Sequence, residues 1–176
     1  MTVRPAAGGF TLIELIIVIT IIAILAAVAL PRLIDAQRDA RVAKANAVYG
    51  SIRSAAALAR SRCELDVANV TASITTNNCA SAVPTVNMDG AAVAIFNRYP
   101  KAAVNGIDLA AQINLNSDGM TATSGTTINS NGDTVNARFY DISGGTAPNC
   151  RITYGEAGLT GAAVVAPAIS VVTTGC

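Results

Sequence analysis

The sequence predicts an α+β protein: a long N-terminal α-helix, apolar in its first half and amphipathic in its second, packed on a small antiparallel β-sheet head. Three observations carry this expectation. An apolar run opens at Phe10 and continues to Leu30, interrupted only by Thr11, Glu14 and Thr20. From Arg32 to Arg62 the chain is rich in alanine and charged residues, strong helix formers. After Cys63 it breaks into short apolar runs separated by Asn, Gly, Ser, Thr and Pro.

The segment Phe10–Leu30 has 21 residues, enough to cross a hydrocarbon core of ~30 Å. Glu14 is its anomaly, because a carboxylate in a bilayer costs on the order of a few kcal/mol and calls for a partner. The first nine residues, MTVRPAAGG, carry one basic side chain, Arg4, and end in two glycines directly before the apolar run. In an ordinary secretory signal the small-residue cleavage site follows the apolar region. Here the order is reversed, so a cut after Gly9 releases a leader, 1–9, and leaves the hydrophobic helix on a mature chain that begins at Phe10. The freed α-amino group lies four residues before Glu14, a positive charge suited to meet the carboxylate. A plain signal anchor is the rival reading of 10–30, but an anchor needs neither Glu14 nor the Gly-Gly-Phe junction.

The stretch GGFTLIELIIVITIIAILAAVALP, from Gly8 to Pro31, resembles the class III signal of type IV pilins and their pseudopilin relatives. It has the basic leader, glycine before the cut, phenylalanine after it, glutamate at the fifth mature position, and proline at Pro31. The resemblance is to a major pilin of the type IVa or MSHA-like kind. It implies cleavage between Gly9 and Phe10 by prepilin peptidase, N-methylation of Phe10, and assembly of copies into a helical fibre. It also implies that Glu14 pairs with the N-terminal amine of a neighbouring copy.

Composition supports a compact, secreted module rather than an enzyme. The chain has 176 residues, 12 Lys and Arg against 11 Asp and Glu, and a net charge of +1, so no basic excess drives nucleic-acid binding. Loss of Arg4 with the leader balances the side-chain charges. Histidine and tryptophan are absent and aromatics make up 4%, which removes imidazole chemistry and an extended base-stacking platform. No nucleophile or paired-carboxylate motif stands out, and no cofactor is expected.

Residues 31–62 form the expected amphipathic half of the helix, with Tyr49, Ile52, Ala56 and Ala59 on one stripe. Charges at Arg32, Asp35, Arg38, Asp39, Arg41, Lys44, Arg53 and Arg60 occupy much of the remainder. Asp35 and Asp39 stand at helical spacing from arginines, where a pair adds a few tenths of a kcal/mol. Pro31 removes a backbone hydrogen bond and marks a kink or a boundary between membrane and periplasmic helices; Gly50 is a second soft point. One helix from Phe10 to about Arg62 would run roughly 80 Å.

The head, 63–176, offers candidate strands at Ile113–Leu115, Ala137–Ile142, Arg151–Tyr154 and Ala168–Val172, and a candidate short helix at Gly90–Tyr99. Turn signals stand at Asp118-Gly119, Asn131-Gly132, Gly144-Gly145 and Gly158. Cys63, Cys79, Cys150 and Cys176 allow three connectivities in a chain that leaves the cytoplasm. Pairing of nearest neighbours favours Cys63–Cys79 and Cys150–Cys176, and the second pair looks like the C-terminal disulfide-bounded region of many pilins. Zinc is the rival use, but there is no CxxC and no histidine. Asn114, Asn116 and Asp118 place oxygens at alternate positions like part of a calcium loop, without the downstream glutamate of an EF-hand; Asn129–Asp133 is a weaker version. Asn, Asp and Gly are also the commonest turn residues, so no metal is assigned.

The sequence therefore reads as a pilin-like subunit, held in the inner membrane as a precursor and exposed outside the cell after assembly. Its expected partners are other copies of itself, prepilin peptidase, the pilus assembly machinery and the membrane. Adhesion, motility and DNA uptake all fit the family. The rivals are a type II secretion pseudopilin, a minor pilin and, more remotely, a membrane-anchored ligand-binding or enzymatic domain.

Overall fold

The protein is described as a computed structural model covering residues 10–68, 79 and 83–176. The leader 1–9, with Gly9 of the expected cleavage site, lies outside the described residues. Among the described residues one helix, α1, runs Leu12–Val67, and nine strands follow in an α+β, pilin-like arrangement. The chain divides into two compact units, one up to Ala40 and one from Arg41 to Cys176.

In the first unit every described residue is exposed, including Leu12, Ile13, Leu25 and Leu30. The helix opens on a capping arrangement. The Thr11 carbonyl accepts the Leu15 N–H at 3.2 Å, and the Thr11 hydroxyl accepts the Glu14 N–H at 3.3 Å. Thr11 thereby satisfies an N–H that has no partner inside the helix. Pro31 lies inside α1. The intrahelical ion pairs expected around Asp35 and Asp39 do not form; the pairs on α1 are instead Arg60–Glu64 and Arg62–Asp66, at 3.7 Å each.

In the second unit α1 buries Ala45, Ile52, Ala55, Ala56, Ala59 and Cys63. These form two neighbouring stripes. Ala45, Ile52 and Ala56 pack with Met120, Tyr140, Ile142, Ile152 and Tyr154, whereas Ala55, Ala59 and Cys63 pack with Val86, Val93 and Ile95. Tyr49, expected on the stripe, sits half-buried at its edge. Alanine at four of the six buried positions lets strands approach the helix closely, and Ile52 fills the space between.

The described residues of the head form three antiparallel sheets. β1 (Thr85–Met88), β2 (Ala91–Phe96) and β3 (Tyr99–Pro100) form the first. β4 (Met120–Ile128), β5 (Thr134–Ile142), β6 (Arg151–Gly155) and β9 (Ala168–Val172) form the second, in the order β4-β5-β6-β9. β7 (Gly158–Thr160) and β8 (Ala163–Val165) form a small hairpin. Strands expected at 137–142, 151–154 and 168–172 are present, the first beginning three residues earlier.

Two expectations for the head are overturned. Gly90–Tyr99 is not a helix but most of two hairpins. Met88 pairs with Ala91 across Asp89-Gly90, and Phe96 pairs with Tyr99 across Asn97-Arg98. All four loop residues have positive φ, the geometry of two-residue turns that match strand twist. Asp-Gly is the strongest short signal for such a turn, and it outweighs the helix propensity of the alanines that follow. Ile113–Leu115 is not a strand either. Its backbone is engaged locally, the Ile113 N–H donating to the Asp108 carbonyl and the Asn114 N–H to the Asp118 carboxylate, both at 2.9 Å. Ile113 and Leu115 still lodge their side chains against the core.

Ile52→Ala should destabilise the full-length chain in detergent by about 3 kcal/mol, read by denaturant unfolding, because the site is fully buried between helix and sheet. Ser54→Ala on the exposed side should change stability by less than about 0.5 kcal/mol.

Candidate functional site

The polar residues of the apolar span are answered unequally. The Thr20 hydroxyl donates to the Ile17 carbonyl at 2.8 Å, so it carries its own partner into any apolar medium. The Thr11 hydroxyl is engaged by the Glu14 N–H and lies 3.5 Å from Glu14 Oε2. Glu14 itself meets no cation among the described residues; its carboxylate touches only that hydroxyl. Its place in the first helical turn aligns it favourably with the helix dipole, but that effect is well below the cost of a carboxylate in lipid. Phe10, immediately before the helix, is 80% exposed. The arrangement is an apolar rod with one unanswered negative charge close to its start.

Residues 4–30 match the family model described as the prokaryotic N-terminal methylation motif. The chain is also similar to the type IV narrow pilus major component PilA5 of Thermus thermophilus, 53% identical over 53 residues. Both likenesses fall on the N-terminal segment, which is similar to that of a type IV pilin. The aligned region covers 30% of this chain and 46% of PilA5, so the pilin likeness spans less than half of that relative. No solved structure matches the chain.

Behind the pilin segment, the second unit ties its part of α1 to the head with cations. Arg41 Nε donates to the Cys176 backbone oxygen at 2.5 Å, and Lys44 Nζ donates to the Asp118 carbonyl. Arg60 donates to the Tyr99 hydroxyl at 2.7 Å and lies over that ring, 5.4 Å from its centroid. The structure joins Cys63 to Cys79 and Cys150 to Cys176, with Cα separations of 5.2 and 4.8 Å. One bridge fastens the helix's last turns to the segment that follows, and the other closes the end of β9 onto the start of β6. Loops of 16 and 26 residues each contribute on the order of 3 kcal/mol by restricting the unfolded chain.

The oxygen-bearing loop at Asn114, Asn116 and Asp118 is folded upon itself. Asp118 Oδ2 accepts the Asn114 N–H, the Ser117 hydroxyl donates to the Asn114 carbonyl, and the Lys44 ammonium sits at the Asp118 carbonyl. These contacts make a turn with a resident cation. Among the described residues, no three His, Cys, Asp or Glu side chains gather where they could hold a metal.

Sequence reasoning missed a buried charged network in the head. Asp108 accepts from Arg138 Nη2 at 2.7 Å and from Arg138 Nε at 3.2 Å, and from the Tyr140 hydroxyl at 2.5 Å. Arg138 and Asp108 are almost fully buried. Asp108 ends a short π-helical turn, Val104–Asp108, whose Gly106 presses on the Lys101 backbone so closely that no side chain fits. The network therefore fixes this turn to β5. A signal was legible: Arg138 and Tyr140 stand at alternate positions of the strand expected at 137–142, so both project from one face, and an arginine on a buried face demands a carboxylate.

Removing one member leaves the other charge buried and alone. Arg138→Met should destabilise the chain by about 3 kcal/mol or more, and Arg138→Met with Asp108→Leu should recover much of that loss in the same unfolding assay. The phenols offer a second check. Burial, first, and the bond to Asp108 push the Tyr140 hydroxyl well above its ordinary value; burial does the same for Tyr154, which donates to the Pro100 carbonyl at 2.6 Å. The unfolded chain sheds these protons near pH 10 while the native chain keeps them, so the unfolded state binds fewer protons above that pH. Stability should therefore decline as pH rises past about 10, and difference absorbance should show Tyr140 and Tyr154 still un-ionised at about pH 11 until the chain unfolds.

Proposed function

We propose that the chain is the structural subunit of a type IV pilus, stored in the inner membrane and assembled into an extracellular fibre through its N-terminal helix. Prepilin peptidase cuts between Gly9 and Phe10, and Phe10 is N-methylated. The pilus assembly machinery then draws Phe10–Leu30 from lipid into contact with other copies. The head faces outward, where such a fibre serves adhesion, motility or DNA uptake.

The observation that carries this reading is the unanswered carboxylate of Glu14 in a helix whose threonines are already satisfied. Cleavage after Gly9 creates an ammonium at Phe10. Within a helix array that ammonium supplies the missing cation to a neighbour's Glu14. Apolar contact alone gives little drive, because lipid chains are as apolar as Leu and Ile. Packing and the charged pair must then decide whether and how copies join.

Glu14→Ala should leave membrane insertion and leader cleavage intact while sheared fibre falls by about tenfold or more, the effect of losing a pair worth about 1.4 kcal/mol per contact. Cleavage is read by mass of the N-terminal peptide and fibre by electron microscopy of the sheared fraction. Fibres as abundant as wild type would remove Glu14 from assembly. A processed wild-type chain confined to the membrane fraction would point to a pseudopilin or minor pilin instead.

A further inference from the structure

Directly beyond the apolar span, Arg32, Asp35, Arg38 and Asp39 are all exposed. Among the described residues none of the four makes an ion pair or a side-chain hydrogen bond. Their order is regular: positive at 32, negative at 35, positive at 38. At about 100° per residue the four fall on one side of the helix, within a stripe about 120° wide. Leu30, Leu33 and Ile34 form an apolar stripe on the other side of the helix and are 60%, 56% and 57% exposed. Both stripes are uncovered.

We propose that this collar docks on the same collar of a second copy, Arg32 of one chain meeting Asp35 of its neighbour and Asp35 meeting the neighbour's Arg38. The proposal rests on the polymer reading above, since it needs copies side by side. Chains inserted in a membrane the same way lie parallel. Parallel copies in register would set Arg32 against Arg32, Asp35 against Asp35 and Arg38 against Arg38, which repels at every step. Sliding one copy by three residues, about 4.5 Å, brings two opposite-charge pairs level.

The start of the helix asks for nearly the same slide. Four residues separate Phe10 from Glu14, so setting one copy's amine beside its neighbour's carboxylate needs a shift of at most about 6 Å. The shift is somewhat less, because helical side chains lean toward the N-terminus. The two shifts differ by about one residue, within the reach of an arginine. Two charge sets at opposite ends of the apolar span thus select one stagger. The like-sign match that results is Arg38 against Arg41, and the Arg41 guanidinium is already held by the Cys176 oxygen.

The test uses the full chain in cells that process and assemble it, with leader cleavage, membrane level and sheared fibre measured together. Asp35→Arg places three positive charges in line and should cut fibre about tenfold, with cleavage and membrane level unchanged. The reversal R32D/D35R/R38D restores opposite pairs at the same stagger and should return fibre to within about threefold of wild type. Undiminished fibre with Asp35→Arg alone would overturn the collar while leaving the polymer reading intact. Loss with Asp35→Arg that the reversal fails to rescue would also overturn it. If the wild-type chain forms no fibre at all, it is the polymer reading that falls.

Discussion

The first unit is organised around one constraint: a carboxylate sits in an apolar helix and, among the described residues, meets no cation. Thr11 caps the helix and touches Glu14, and Thr20 hides its hydroxyl against Ile17, so polar demand in the span is reduced to a single negative charge. An apolar helix by itself is content in lipid and has no preferred neighbour. On the proposed reading a lone carboxylate gives it one, the Phe10 ammonium of a neighbouring copy lying against Glu14.

The second unit solves a different problem, that of building a stable head around part of the same helix. Four small alanines and Ile52 let two sheets close on α1, while Arg41, Lys44 and Arg60 reach from the helix to backbone oxygens and a phenol of the head. The Cys150–Cys176 bridge and the Arg41 contact both act on Cys176, so the end of the described chain is fixed from two sides. The Asp108–Arg138–Tyr140 network locks a tight turn to the larger sheet. Desolvation offsets much of what such an interior pair gains, so the network's net stabilisation is smaller than the loss on removing one member.

Much of this was legible in the residues. The apolar run, its glutamate and the Gly-Gly-Phe junction are local signals, and they are strong because each conflicts with the alternatives: a signal peptide has its cleavage site elsewhere, and a plain anchor has no use for Glu14. The strands at 137–142, 151–154 and 168–172 were readable from β-branched and aromatic runs between turns. The failures came where local propensity competed with turn chemistry or with distant partners. Ala91, Ala92, Val93, Ile95 and Phe96 suggested a helix, but Asp89-Gly90 forced a hairpin. The threonine- and serine-rich β4 was overlooked because its strand character comes from nine residues paired with β5, a contact no local window contains. Ile113 and Leu115 gave a strand-like pattern because they face the core, although their backbone belongs to a turn.

The central claim concerns where Glu14 finds its cation, and a helical reconstruction of the sheared fibre by electron cryo-microscopy tests it most directly. The account predicts the Glu14 carboxylate of each copy within hydrogen-bonding distance of the Phe10 nitrogen of an adjacent copy, buried in the fibre core. A fibre in which Glu14 faces its own chain's amine, or points to solvent or to an empty apolar gap, would contradict it.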